Sequence, residues 1–197
     1  MSNTLDNMKI HSSVLAKKLK NGEITVIPTD TIYGLTTSAF LPKSIERIYQ
    51  IKKRNPEKPL IILLSVISDL SLFEIKIDKY TKKILETVWP GKVSVVLPCL
   101  NRRFHYLHRG NDSLAFRLPA KTDLKNLLKI TGPLVSTSAN PEGKHSAKTI
   151  TKAREYFSNS VDCYIDEGLQ KSLPSTLIEI KDGKVKILRQ GGEKVKI

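Results

Sequence analysis

Short apolar runs alternate with amphipathic stretches along almost the whole chain, and nothing else in the sequence narrows the choice of fold as much. Runs too short for buried helices, each followed by a helical repeat, imply strands joined through helices. Ser12 or Ser13 can cap a helix on which Val14, Leu15 and Leu19 share a face, with Gly22 as its stop. Residues 24–28 read as a buried strand, and 29–34 as a polar, glycine-containing loop at its end, a place where ligands are often held. A helix over 44–53 carries Ile45, Ile48 and Tyr49 at helical spacing and ends in a basic cluster ahead of Pro56 and Pro59, before a strand at 60–64.

The pattern continues to the end. Asp78 or Thr81 opens a helix bearing Ile84, Leu85 and Val88, terminated by Trp89-Pro90-Gly91 before a strand at 93–97. Residues 113–118 alternate apolar and polar, 124–130 are helical after Thr122, and 134–137 form a strand running into the small-residue loop Ser138-Ala139-Asn140. A helix over 150–157 precedes a hairpin of 176–180 and 185–189, joined through Asp182-Gly183, a favoured turn pair. No repeat, low-complexity tract or linker interrupts the series. The expectation is one α/β domain spanning 1–197, its core about 10–191, with a twisted, open, mixed sheet and flanking helices.

With 197 residues, 40% of them hydrophobic, the chain can build one continuous core. Its net charge of +14 favours polyanionic partners, nucleotide phosphates or RNA, although basic residues spread along the sequence also serve a merely soluble surface. Cys99 and Cys163 lie far apart in apolar stretches, which suits buried thiols and supports neither a disulfide framework nor a metal-binding pair. Residues 1–10 have no apolar signal-peptide core, and no run approaches the roughly 18 apolar residues that a membrane span needs. A cytoplasmic protein without membrane association is expected.

Three constellations can carry chemistry. Lys52, Arg54 and Lys58 lie between a helix end and a strand, where cations complement the helix dipole or, alternatively, clamp a triphosphate. Ser136, Thr137, Ser138, Ala139 and Asn140, followed by Gly143 and Ser146, form either a plain turn or a cluster of small donors able to approach a phosphate closely. Ser113 and Arg117 sit on one strand; a buried arginine there must meet a carboxylate or a ligand anion. Neither a P-loop nor a dinucleotide-binding glycine fingerprint occurs. His105 and His108 lie among arginines without further metal-ligand partners, so no protein-bound metal is expected. Asp30 is the acid of the first loop, and no catalytic triad can be assembled from spacing.

The order and wording of these segments resemble the TsaC/YrdC family of threonylcarbamoyl-adenylate synthases from about residue 10 to 191. The matching text is Val26-Ile27-Pro28-Thr29-Asp30-Thr31-Ile32-Tyr33-Gly34-Leu35, Lys52-Lys53-Arg54 with Lys58-Pro59-Leu60, and Trp89-Pro90-Gly91. It continues with Asp112-Ser113-Leu114-Ala115-Phe116-Arg117, Pro133-Leu134-Val135-Ser136-Thr137-Ser138-Ala139-Asn140, Pro174-Ser175-Thr176 and Leu188-Arg189-Gln190-Gly191. The resemblance implies a concave, positively charged cavity that takes ATP with Mg2+, L-threonine and bicarbonate, and releases threonylcarbamoyl-AMP and pyrophosphate. By position, Lys52 and Arg54 would be catalytic. Arg54, Lys58, Ser113, Ser138, Asn140, Ser146 and Arg189 would bind ATP, and Thr31, Arg117 and Thr176 threonine. Downstream partners would be threonylcarbamoyl-transferase proteins and tRNA. Two positions depart from the pattern: Leu63 stands where many longer relatives have histidine, and Asn55 where a proline usually follows the Lys-x-Arg. The chain resembles the short family form, without the extra C-terminal domain of longer members. Competing readings are a non-catalytic protein that binds double-stranded RNA or tRNA, and a carbamoyl-transferring module.

Overall fold

Among the described residues, three α-helices begin with a side chain that captures one of the amides a helix start leaves unpaired. Ser12 caps α1 (Ser13–Lys20) by accepting from Leu15 N–H at 3.1 Å. α2 (Pro42–Lys52) has proline in its first turn, where no amide donor is required. Asp78 caps α3 (Lys79–Val88) through Thr81 N–H, α4 (His105–His108) is a single turn, and α5 (Thr122–Thr131) stops at Gly132. Thr149 caps α6 (Ile150–Phe157). This computed structural model describes residues 9, 10 and 12–195; the two ends of the expected 1–197 domain lie outside the described residues.

Among the described residues nine strands share one sheet: β1 (Thr25–Pro28), β2 (Tyr33–Ser38), β3 (Ile61–Leu63), β4 (Val93–Pro98), β5 (Ser113–Arg117), β6 (Leu134–Ser138), β7 (Cys163–Tyr164), β8 (Thr176–Lys181) and β9 (Lys184–Arg189). Their order is β7-β1-β2-β6-β3-β5-β4-β8-β9. β7 with β1, β3 with β5 and β4 with β8 run parallel and the other pairs antiparallel, giving the mixed sheet expected. The reading of 29–34 as loop needs correction at its end, because Tyr33 and Gly34 already belong to β2, in register with Pro28 and Ile27 of β1. All six β2 residues are buried, so no apolar-polar alternation advertises the strand. The two-residue β7 and the 3-10 turn Ile67–Phe73 left no signal either.

Alternation along the strands sends neighbouring residues to opposite layers. Ile62 and Val135 join a core with Ile45 and Ile48 of α2, Leu85 of α3 and Phe157 of α6. Leu63 and Leu134 join the other, with Leu15 and Leu19 of α1 and Leu124, Leu127 and Leu128 of α5. On that second face, two residues from Leu63, Ile61 is in register with Ala115 and Ser136, Ala115 with Val96, and Val96 with Glu179. These side chains line a cavity of about 650 Å³ instead of packing under a helix. Both cysteines are buried and free.

After β9 the chain folds back against the start of β8. Gly191 N–H donates to Thr176 Oγ1 at 3.0 Å, and a Cβ at Gly191 would fall 2.2 Å from Pro174 O and 2.5 Å from Thr176 N. Those are backbone atoms that cannot step aside. Gly191→Ala is expected to lower the unfolding free energy by about 1–3 kcal/mol, as overpacking does, and hence the melting temperature by about 2–10 °C; an unchanged thermal midpoint would show that the close approach is not needed.

Candidate active site

A threonine turn builds one wall. Thr29 Oγ1 accepts from Thr31 N–H at 3.1 Å and donates to Ile32 O at 2.7 Å, a local hydroxyl-backbone lock. The turn presents Thr31, whose hydroxyl lies 2.9 Å from that of Thr29, to the cavity. Gly34 follows because β2 and β6 approach closely there: a Cβ would sit 2.6 Å from Ser136 Oγ.

Arg117, at the end of β5, meets Asp30 of the same turn at 3.0 Å, with side chains only 4% and 5% exposed. The pair is in contact but not aligned as a hydrogen bond, so Asp30 Oδ1 and Arg117 Nε have no hydrogen-bond partner. Burial pushes the Arg117 pKa down and Asp30 opposes that shift. The carboxylate that a buried arginine requires is therefore present, and the guanidinium still carries an unused donor on a side chain lining the cavity.

The opposite side is made by the loops that follow α2 and β6. Arg54 is held by its own loop, Nε donating to Lys58 O at 3.0 Å and Nη2 to Pro59 O at 3.1 Å. Asn140 closes the second loop through Nδ2, which donates to Pro141 O and Lys144 O at 2.8 Å each. Arg189 of β9 donates to Ser175 O at 2.9 Å, and burial followed by the proximity of Arg54 lowers its pKa. Arg54, Arg117 and Arg189 line the cavity together with a single carboxylate, Glu179.

Thr31, Arg54, Ser113, Arg117, Ser138, Ser146 and Arg189 thus come together around one cavity. Lys52, Lys58, Asn140 and Thr176 do not line it. Lys52 is 1% exposed, and its amine donates to Ser138 O and Asn140 O at 2.5 Å each, so the expected triphosphate clamp is divided, with Lys52 behind the loop. Lys58 is ion-paired with Glu142. The Thr176 hydroxyl donates to Glu193 O at 2.5 Å and accepts from Gly191 N–H. Leu63 is wholly buried in the core under α1 and α5 and offers the cavity nothing. Sequence reasoning missed Glu179 and Asn111. The period-two spacing of Leu177 and Glu179 could have revealed the first. Asn111 arrives by a loop that its own Nδ2 ties to Glu57 O, and had no signal. Among the described residues, no three His, Cys, Asp or Glu side chains converge to hold a metal ion.

Two substitutions test this construction. Asp30→Ala strands the Arg117 charge in the interior and is expected to cost about 3–5 kcal/mol in urea unfolding; a loss no greater than that of an exposed pair, under about 1 kcal/mol, would refute the buried pairing. For Lys52, burial foremost and then Arg54 push the amine from the ordinary 10.5 down to about 7, with Glu142 acting in the opposite sense. Between those values the unfolded chain binds the proton more tightly, so the folded state gains as pH rises through the window and loses as pH falls toward 7. Lys52→Met, which strips donors from the loop carbonyls, is expected to cost about 1–3 kcal/mol. The difference in unfolding free energy between wild type and variant should widen from pH 7 to pH 9; a pH-independent difference would contradict the lowered value.

Known proteins share this sequence pattern and this fold. The Sua5/YciO/YrdC family model, described as telomere recombination, matches residues 17–191. The threonylcarbamoyl-AMP synthase of Pyrococcus abyssi is 29% identical over 91% of this chain, which spans 53% of that protein. That of Hahella chejuensis is 32% identical over 87% of this chain and 94% of its own length. The structure of P. abyssi Sua5 in complex with L-threonine superposes with a TM-score of 0.82 at 29% identity over 91% of this chain and 53% of that one. Escherichia coli YciO, with a TM-score of 0.83 at 23% identity over 97% of this chain and 94% of that one, shares the fold. The chain spans about half the length of its Pyrococcus relative. With the family model matched over most of its length and the fold reproduced, the chain belongs to the Sua5/YciO/YrdC family.

Proposed function

We propose that this protein is a threonylcarbamoyl-AMP synthase, transferring the adenylyl group of ATP to the carbamate of L-threonine. One observation carries the reading: a single cavity joins Thr31 and the buried Arg117, suited to an amino-acid carboxylate, to Arg54, Arg189 and the hydroxyls of Ser113, Ser138 and Ser146, suited to a nucleotide. The names of the relatives, and the threonine bound by the Pyrococcus protein, agree with it.

In this scheme the threonine amine adds to carbon dioxide, supplied by bicarbonate with loss of water, and gives up a proton to form the carbamate. A carbamate oxygen then attacks the α-phosphorus of ATP in line; the new O–P bond replaces the bond to pyrophosphate, which leaves with its electron pair. The residues need form no covalent intermediate. They hold the reactants together, worth up to about 7–11 kcal/mol for well-oriented groups. Arg54, fixed by two backbone carbonyls, stabilises the charge that develops, and Lys52 acts behind it by setting the position of the Ser138–Asn140 loop. Lys58 and Asn140 contribute to the nucleotide site from the rim, and Thr176 supports the threonine side through β8. A magnesium ion carried by the triphosphate would neutralise charge on the departing pyrophosphate, an ion of the kind bound mostly by phosphate oxygens and water. The product would pass to threonylcarbamoyl-transferase proteins that modify tRNA in the cytoplasm, and the net charge of +14 suits an approach to tRNA. Among the described residues no helix is long and apolar enough to cross a membrane.

Pyrophosphate release from ATP and magnesium should require both threonine and bicarbonate. Release independent of threonine would overturn the synthase reading, and none at all from folded protein whose RNA binding weakens steeply with salt would replace it with the binding one. Arg54→Ala is expected to lower turnover by about 10² to 10³. Arg117→Ala should raise the KM for threonine by about 10- to 100-fold, the worth of a charged hydrogen bond, with little effect on the KM for ATP; equal effects on both would remove Arg117 from the threonine site.

A further inference from the structure

Glu142 connects the two loops on which a nucleotide would rest. Its N–H donates to Lys52 O at 2.9 Å, its Oε2 accepts from Asn55 N–H at 2.5 Å, and its Oε1 pairs with the Lys58 ammonium. Glu142 and Lys58 do not themselves line the cavity, but each is tied to residues that do: the Lys58 carbonyl anchors Arg54, and Glu142 stands between Ser138 and Ser146 in the chain. The connection to residue 55 needs a backbone N–H, which Asn55 has and a proline would lack. Lys58 and the hydrogen bond from Asn55 hold the Glu142 carboxyl below the usual carboxylate range, so it is an anion at neutral pH. A fixed anion beside a phosphate site opposes binding unless it is coupled to a cation that the phosphates can use.

We infer that Glu142 competes with nucleotide phosphates for the Lys58 ammonium, and so sets the affinity for ATP and eases the departure of phosphate-bearing products. The inference rests on the nucleotide-binding reading above. The ion pair is suited to exchange: the Lys58 side chain is 57% exposed and that of Glu142 29%, so water screens their attraction and a polyphosphate, with several charges, outcompetes one carboxylate. Asn55 N–H remains on Glu142 after Lys58 has left, which keeps the loop in place while the lysine swings. Lys52 cannot exchange in this way, because its amine is buried beneath the Ser138–Asn140 loop.

A double-mutant cycle on magnesium-ATP binding, read by calorimetry on the full chain, isolates the coupling. Glu142→Gln retains an acceptor for Asn55 N–H and should tighten ATP by about two- to five-fold, the scale of an exposed ion pair. Lys58→Met should weaken ATP, and adding Glu142→Gln to Lys58→Met should then tighten it by less than Glu142→Gln does in the wild-type background. Equal tightening in both backgrounds would make Glu142 a simple repelling charge and overturn the competition. Weaker binding by folded Glu142→Gln, checked by its thermal midpoint, would make Glu142 a brace and overturn it as well. Wild type that binds ATP but shows no coupling sinks this inference alone; wild type that binds no ATP sinks it together with the synthase reading.

Discussion

A wide mixed sheet must cover both faces, and here α1 and α5 cover only part of one. Under them lie Leu63, Leu134 and Ile27, with Ile61 at the edge; beyond them, on the same face, Ala115, Val96 and Glu179 line the cavity. The incomplete layer is what makes a cavity, and the opposite face can afford it because α2, α3 and α6 bury a continuous core there, with Phe73 packed against Phe40, Phe104 and Phe116. Apolar burial on one side thus holds rigid the strands that present polar groups on the other.

Cations inside the cavity region are crowded. Burial foremost, and then Arg54, depresses the proton affinity of both Lys52 and Arg189; burial foremost, opposed by Asp30 and aided by Arg189, depresses that of Arg117. Arg54 and Arg189 make hydrogen bonds to backbone carbonyls, and Arg117 touches Asp30 without hydrogen-bond alignment. Such an arrangement stores mutual repulsion that an anionic ligand relieves, so the groups that weaken the folded state are those that favour a phosphate or a carboxylate. Backbone carbonyls orient the guanidinium groups without neutralising them.

The two loops around this region depend on each other. Lys52 reaches from the end of α2 to the carbonyls of the Ser138–Asn140 segment, and Glu142 reaches back to Asn55 and Lys58. Each loop is thus tied to the other as well as to itself. Departures from the family pattern acquire meaning in this setting: Asn55 supplies an N–H to the interlock, whereas Leu63 turns into the core, away from the cavity that Thr31 and Arg117 line.

Much of this was written locally. Capping serines, aspartates and threonines, helical spacing and the Asp182-Gly183 turn determined where most elements begin and end, because those signals act over a few residues. The demand of Arg117 for a counter-charge was equally legible, since a charge in an apolar strand cannot be buried alone. β2 and β7 were not, being buried throughout or too short to show a period, and neither was the withdrawal of Lys52. A lysine at the end of a helix ordinarily faces water; this one is buried because two carbonyls from a loop far along the chain arrive to receive it. Which groups are polar, apolar or charged was determined by the sequence alone, whereas which of them share a space was decided by strand register and helix coverage, through contacts between residues distant in the chain.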